Sequence, residues 1–240
     1  MSEALLRMEA LLGRDAMDKL RNSHVAVLGL GGVGSWAAEA LCRAGVGTLT
    51  LMDSDAISES NTNRQLYALR STLGLPKAEV AAARCRDIRE DVTVHAIVGT
   101  YDAAHREAFF CRDYDYIVDC IDLVSCKLDL IEQARERSIP ILCALGTGNK
   151  LDASRLQVAD ISKTYGCPLA RVMRKELRAR SIQHLKVVFS PEEPHEAAQT
   201  EAPPQGRRSV PGSVVWVPAA AGLLMAQTVV EDLVKGAVEA

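Results

Sequence analysis

The segment Gly29-Leu30-Gly31-Gly32-Val33-Gly34 constrains this chain more than any other, because it joins a β-rich apolar run, His24 to Leu28 (HVAVL), to an Ala-rich helical stretch, Gly34 to Ala44. In a G-x-G-x-x-G turn so placed, bare backbone approaches a phosphate and the following helix turns its N-terminal N–H groups toward the anion. The next apolar run, Thr48 to Met52 (TLTLM), ends at Asp53, 19 residues past the last glycine. A carboxylate at the end of a second strand is placed to accept ribose hydroxyls. Gly29, Gly31, Gly32, Gly34 and Asp53 therefore read as a nucleotide site. The alternative is a glycine turn kept for packing alone.

The pattern around this turn predicts alternation of strand and helix. Ala78 to Ile88 is helical, Val92 to Val98 β-like, Ala103 to Phe110 helical, Tyr116 to Cys120 a short buried strand, Leu128 to Glu136 helical and Pro140 to Leu145 another strand. Such βαβ succession implies an α/β, doubly wound, Rossmann-like and mainly parallel sheet. Before it, residues 1–22 read as a helical arm of two short helices interrupted at Gly13. The nucleotide-binding domain is expected over 23–150, with a C-terminal strand and helix extension, 151–240, packed on the same domain. That extension holds a strand at Leu156 to Asp160, a basic helix at Leu169 to Arg180 and a strand at Lys186 to Phe189. Its Pro- and Glu-rich stretch 190–211 is expected to be a flexible crossover loop. Val214 to Val230 carries no charge but contains Pro218, Gly222 and Gln227 and barely reaches the roughly 17-residue lower limit of a membrane span. It reads as a strand, Ser213 to Val217, followed by a buried helix from Pro218; no stable membrane insertion is expected, and peripheral membrane contact stays open.

With 28 Lys+Arg against 31 Asp+Glu the net charge is -3, so a polyanion must be held by a local patch. The 7 cysteines include no C-x-x-C pair, which disfavours a disulfide framework and a four-cysteine zinc site. No basic segment followed by an apolar one marks a leader peptide at the N-terminus. A cytoplasmic location is expected.

Which nucleotide binds depends on the surroundings of the turn, since triphosphate chemistry calls for cations and a metal that a dinucleotide does not need. Asp53-Ser54-Asp55 and Asn61-Thr62-Asn63-Arg64-Gln65 supply carboxylate, amide and guanidinium groups. Lys77, after Leu75-Pro76, adds an ammonium, and Asp122, past the strand Tyr116 to Cys120, is a carboxylate able to hold Mg²⁺. Together these suit a nucleoside triphosphate. Singly, Arg64 reads as a surface arginine, Lys77 as a solvated lysine at a helix start and Asp122 as a helix N-cap. A nicotinamide-dependent oxidoreductase shares the glycine turn and is a further alternative.

The ordered segments GLGGVGSWAAEAL, LMDSDAISESNTNRQ, GLPKAEVAAAR and DCIDLVSCK resemble those of the ubiquitin-activating-enzyme-like adenylyltransferases, whose bacterial members include activators of sulfur-carrier proteins. Over essentially the whole chain, NTNRQLYALRSTLGLPKAEV, SRLQVADISKT and CPLARVMRKELR look like the branch that dehydrates threonylcarbamoyladenosine in tRNA. The resemblance implies a doubly wound homodimer in which Mg-ATP adenylylates the threonyl carboxylate and the side chain then cyclises. It assigns Gly29, Gly31, Gly32 and Gly34 to the phosphates, Asp53 to ribose, and Asp55 and Asn61, with Gln65 beside them, to the turn around the α-phosphate. Arg64 and Lys77 neutralise the triphosphate and pyrophosphate, Asp122 holds Mg²⁺, and Arg7 reaches the partner subunit's ATP; a solvated Arg7 is the alternative. A monovalent cation near Gly146 to Gly148 and a cysteine-desulfurase sulfur-acceptor protein as partner stay open.

Against the alternative, activation of a ubiquitin-like sulfur carrier's C-terminus, stands the cysteine pattern: such relatives often use paired C-x-x-C motifs or a loop thiol, and here 190–211 has no cysteine. Cys167 reads as a small buried hydrophobe. Arg171, Arg174, Lys175, Arg178 and Arg180 put cations on neighbouring helical turns, with Leu169, Val172, Met173 and Leu177 opposite. With the resemblance, Arg171, Arg174, Lys175 and Arg178 become candidates for tRNA backbone contact, extended by Arg207 and Arg208; otherwise they are a solvated helix face. Aromatics are only 4%, which favours shape and phosphate contacts over base stacking.

Overall fold

The computed structural model describes residues 3–198 and 210–235. Arg207 and Arg208 lie outside them. The order is α1 (Leu6–Leu12), α2 (Arg14–Arg21), β1 (His24–Leu28), α3 (Gly34–Arg43), β2 (Thr48–Asp53), α4 (Lys77–Ile88), β3 (Thr93–Val98), α5 (Arg106–Phe109), β4 (Tyr116–Asp119), α6 (Val124–Glu136), β5 (Ile141–Ala144), β6 (Gln157–Asp160), α7 (Pro168–Ala179), β7 (Lys186–Phe189) and α8 (Trp216–Val234). The strands form one seven-stranded sheet in the order β3-β2-β1-β4-β5-β7-β6, parallel except for β6, which runs against β7. Residues beyond 150 thus complete the same sheet.

Side-chain chemistry explains the order. Val25, Ala26 and Val27 of β1 are fully buried, as a central parallel strand covered on both faces requires. In β3, Val94 is buried while Val98 is half exposed, the pattern of an edge strand. The chain turns from β1 to β2 on one side and reaches β4 on the other, so the carboxyl ends of β1 and β4 flank the switch point where open α/β sheets bind ligands.

Two expected elements change. No strand forms at 213–217; α8 starts at Trp216, with Pro218 inside its first turn. First-turn N–H groups have no intrahelical partner, so a proline there costs no hydrogen bond and does not mark the helix start. The helix expected over Ala103 to Phe110 shrinks to the single turn of α5. The Asp102 carboxylate accepts the amides of Ala104 at 2.9 Å and His105 at 3.0 Å, a local bond that replaces a helical turn.

Among the described residues, α8 is a helix long and apolar enough to cross a membrane, yet Ala221, Met225, Val229 and Val230 are buried in the core shared with β1 and α3. A Cβ on Gly222 would lie 2.4 Å from the Val33 carbonyl oxygen and 2.8 Å from Trp36 Cβ. Only hydrogen there lets α8 press on the start of α3. Gly222→Ala is expected to lower stability by about 1–3 kcal/mol through overpacking, measured by urea denaturation; a gain, as relief of glycine flexibility would give, would contradict this packing.

Candidate active site

The glycines divide the work of the turn. Gly29 has φ +84° and donates its N–H to the Met52 carbonyl at 2.8 Å, and a Cβ there would sit 2.6 Å from the Cys120 carbonyl oxygen. A Cβ on Gly34 would overlap the Gly29 carbonyl oxygen at 1.8 Å. Both positions therefore serve close backbone packing. Gly31 is different: the nearest atom to a Cβ there is Gln65 Nε2 at 3.9 Å, which leaves the backbone open on that side. Gly32 is flanked by Pro218 and by the Arg64 side chain.

Asp53 braces this loop from the end of β2. One carboxylate oxygen accepts Leu30 N–H at 2.6 Å and the other accepts Asp55 N–H at 2.8 Å, and each keeps a lone pair for a ribose hydroxyl. Lys77, expected to be either a phosphate ligand or a solvated lysine, is buried, and its Nζ lies 2.8 Å from Asp55 Oδ2. Asn61 Oδ1 accepts Ser58 N–H at 3.2 Å, and Gln65 N–H bonds to the Asn61 carbonyl. The start of α3 anchors the same loop, as Trp36 Nε1 donates to the Arg64 carbonyl at 3.2 Å and Leu66 N–H to Ser35 Oγ at 3.2 Å. Arg64 arches over Gly32 with Nη1 donating to the Ser60 carbonyl and to Asn63 Oδ1, both at 2.8 Å.

Gly29 packs on Cys120 and Ile121, so the exposed Asp122 follows directly at the same edge. The N-cap position of α6 is held by Leu123, the residue after it. Beneath it lies a pair that the sequence reasoning missed. Lys127 Nζ donates to Asp119 Oδ2 at 2.7 Å and to the Ala144 carbonyl at 3.1 Å, with both charged side chains fully buried. Burial works against the ammonium, and the adjacent Asp119 outweighs it, holding the Lys127 pKa above its ordinary value. A lysine amid the apolar face of Cys126, Leu130 and Ile131 was the available signal. No group of three or more metal-ligating side chains occurs among the described residues, so a Mg²⁺ ion held by Asp122 would take its other ligands from phosphate and water, as that ion commonly does. Burial pushes up the thiols of Cys120 and Cys143, which keeps them protonated and poor nucleophiles.

Other candidates lie elsewhere. Arg7 is exposed on α1, and that arm packs through Leu5 and Met17 on Gly45, beyond the far end of α3. On α7, Arg171, Lys175 and Arg178 are exposed, but the Arg174 guanidinium bonds to the Thr164 hydroxyl and to its carbonyl, the latter at 2.7 Å. Val172, expected on the apolar face, is 45% exposed. Cys167 is buried, as read.

A cleft of about 810 Å³ opens farther along the edge, beside Leu151, Asp152, Arg155, Tyr165, Pro191 and His195. Its floor is tied down by Glu192, whose carboxylate accepts the amides of Leu151 at 3.0 Å and Asp152 at 3.1 Å and meets His195 Nε2 at 2.9 Å. Burial alone would raise the Glu192 pKa; these partners outweigh it and hold it below the ordinary value.

A glycine turn at the switch point of a doubly wound sheet, with the Asp53 carboxylate at the end of β2 bracing it and Arg64 beside it, has the form of a nucleotide-binding α/β protein. The ThiF family profile matches residues 4–237, and the chain belongs to that family. Within it, the chain is 42% identical over 238 residues, 95% of this chain and 94% of the relative, to tRNA threonylcarbamoyladenosine dehydratase of Bacillus subtilis (strain 168). The crystal structure of E. coli tRNA N6-threonylcarbamoyladenosine dehydratase, TcdA, in complex with ATP superposes with a TM-score of 0.88 at 32% identity, covering 99% of this chain and 98% of that one. Its AMP complex gives 0.87 at 33% identity, covering 98% of each.

Lys127→Ala leaves the Asp119 carboxylate buried without its cation and is expected to cost about 3–5 kcal/mol in chemical denaturation, whereas Asp119→Leu with Lys127→Met recovers most of that loss. No difference between single and double variants would refute the pairing. Because the Glu192 pKa is lowered on folding, its contribution is present above its ordinary value of 4.5 and is lost as pH falls through the lowered one. Wild type should therefore lose more stability than Glu192→Gln between about pH 5 and pH 3 in urea titrations, and parallel profiles would remove that role.

Proposed function

We propose that this chain is an ATP-dependent tRNA threonylcarbamoyladenosine dehydratase. The observation that carries the reading is the Gly29 to Gly34 turn braced by Asp53 with Arg64 packed on Gly32, joined through Asp55 to the buried Lys77, a cation set suited to a triphosphate. The threonyl carboxylate attacks the α-phosphorus; an O–P bond forms, the bond to the β,γ-bridged leaving group breaks, and pyrophosphate departs. The carbamoyl group then attacks the activated acyl carbon within the same side chain and AMP leaves, so the nucleoside loses one water overall. Open backbone at Gly31 accommodates phosphate, Asp53 orients ribose, and Asp55 holds the Lys77 ammonium facing the turn. Asp122 would hold Mg²⁺, which when bound would supply charge neutralisation for the attack of a carboxylate on a phosphate.

Cyclisation needs no enzyme thiol, in keeping with the protonated Cys120 and Cys143. The exposed Arg171, Lys175 and Arg178 of α7 offer a local cationic face for tRNA, while Arg174 shapes that face through Thr164. Arg7, by the family resemblance, reaches the ATP of the partner subunit in a homodimer, a reading compatible with its place on the arm beyond the far end of α3, whose 10 residues span roughly 15 Å. A monovalent cation at Gly146 to Gly148 would draw on carbonyls beyond Ala144, whose oxygen Lys127 already engages. A cytoplasmic setting fits a tRNA substrate, and a sulfur-acceptor partner would have to use surface outside this site.

Nucleoside mass spectrometry of threonylcarbamoyladenosine-containing tRNA after incubation with the protein and Mg-ATP should show ATP-dependent loss of one water. Unchanged tRNA, with adenylate formed instead on a Gly-Gly carrier terminus, would favour the carrier activator. Asp122→Ala should reduce turnover at least about a hundredfold with the fold intact, and a wild-type rate would exclude the metal role. Equal mixing of Arg7→Ala and Arg64→Ala chains should restore about a quarter of the sites, since random pairing leaves one intact site per mixed dimer. No rescue would place Arg7 outside the reaction.

A further inference from the structure

We infer that the cleft beside Tyr165 is the subsite for the adenine base that carries the reacting side chain, a role that rests on the dehydratase reading and extends it to how the substrate is seated. Every aromatic residue of this chain falls within the described residues, and two expose more than a third of their surface: Tyr165 at 58% and Trp216 at 52%. Both stand at this one place. Tyr165 lines the cleft, and Trp216 Nε1 donates at 2.6 Å to the carbonyl of Leu151, which lines it too. Exposing large π-faces is costly in a protein so poor in aromatics, and single-stranded bases are recognised by stacking on such faces.

The position of Tyr165 is set by backbone. Gly166 has φ +67°, and a Cβ on it would lie 2.2 Å from the Pro191 carbonyl oxygen, so the turn is pressed onto the segment that follows β7. The Tyr165 ring meets Phe189 edge-on, with centroids 6.0 Å apart and planes at 74°, which holds it upright and leaves a face open. Trp216 begins α8, whose Pro218 touches Gly32 of the nucleotide turn, so one continuous wall runs from the phosphate loop to the cleft.

Distances along the edge agree with the reaction. From β4, where Asp122 stands, to β7, where the cleft opens, are two strand steps, roughly 10 Å at the usual spacing. An extended threonylcarbamoyl chain spans roughly 6 Å from the adenine amino nitrogen to the carboxylate by ordinary bond lengths, and the adenine ring supplies the rest. A base in the cleft therefore delivers its carboxylate to the nucleotide. The lining holds the carboxylates of Asp152, Glu192 and Glu193 with the single guanidinium of Arg155 and the imidazole of His195 among them, an acid-rich set that suits a neutral base better than a free phosphate. Arg155 in the lining and Arg171, six residues past Tyr165 on α7, are the cations available to the flanking phosphates.

The test uses Tyr165→Ala, Tyr165→Phe and Arg155→Ala in the full chain. Anisotropy with a fluorescein-labelled anticodon stem-loop, with or without threonylcarbamoyladenosine, reads binding, and steady-state dehydration reads KM for tRNA and for ATP. Tyr165→Ala should weaken stem-loop binding and raise the tRNA KM about tenfold or more, with the ATP KM unchanged and the preference for the modified loop lost. Tyr165→Phe keeps the π-face and should stay within about twofold of wild type, which separates stacking from a lost hydroxyl or a damaged fold. Arg155→Ala should weaken modified and unmodified loops equally. Active wild type with unaltered tRNA KM and binding in Tyr165→Ala would overturn the subsite alone. Wild type that binds the loop through Tyr165 without changing its mass would overturn the dehydratase reading and keep the subsite, and absence of both binding and dehydration would overturn both.

Discussion

The buried pair of Lys127 and Asp119 organises the carboxyl edge of the sheet on which every proposed function depends. Taking two charges out of water costs several kcal/mol each, which their mutual attraction offsets only when the remaining valences are filled. Here they are filled by structure. Asp119 Oδ1 accepts Ile121 N–H at 3.0 Å while Oδ2 takes the ammonium, and that ammonium also reaches Ala144 at the end of β5. A side chain on α6 therefore pins the ends of β4 and β5 together. The two residues that follow β4, Cys120 and Ile121, are those against which Gly29 packs, so the pair fixes the floor of the phosphate turn and the place from which Asp122 projects.

From that floor, close backbone contact carries order outward. Gly34 rides on the Gly29 carbonyl, and Gly222 of α8 rides on the Val33 carbonyl on the other side of the same turn. The first turn of α3 is thus gripped between the strand ends and the C-terminal helix. Loose packing here would let the N–H groups at the start of α3 drift, and anion binding needs them held in advance. The same α3 residues then fasten the loop bearing Arg64, so the cations are placed by the element that presents the amides.

Much of this was legible before any coordinates. Apolar runs such as HVAVL and YIVDC mark strands covered on both faces because burial on two sides leaves no polar alternation, and the glycine turn with Asp53 marks the switch point. What escaped notice depends on contacts between residues far apart. Lys127 looks like a misplaced helix lysine until Ala144 lies beside it, and Arg174 looks like a free cation until Thr164 comes within reach. Pro218 favours a helix start without fixing it, because any position in the unpaired first turn satisfies the same physics. The scarcity of aromatics suggested little stacking, yet composition says nothing about where the few exposed rings gather.

Charge placement explains why so nearly neutral a chain can handle two polyanions. Lys77 is buried against Asp55, and Arg64 is held by neutral oxygens of Ser60 and Asn63, which leaves its charge uncompensated by those partners for the role proposed for it. The cleft beside Tyr165 is lined by Asp152, Glu192 and Glu193 with Arg155 among them, and α7 carries further exposed cations. On the proposed reading, Arg64 and the cations of α7 would attract phosphate, while the acid-rich cleft between them would favour a neutral base. Coulomb energies in water are screened within about 8–10 Å, so a charged ligand feels the order of local charges along the edge more than the net charge of -3.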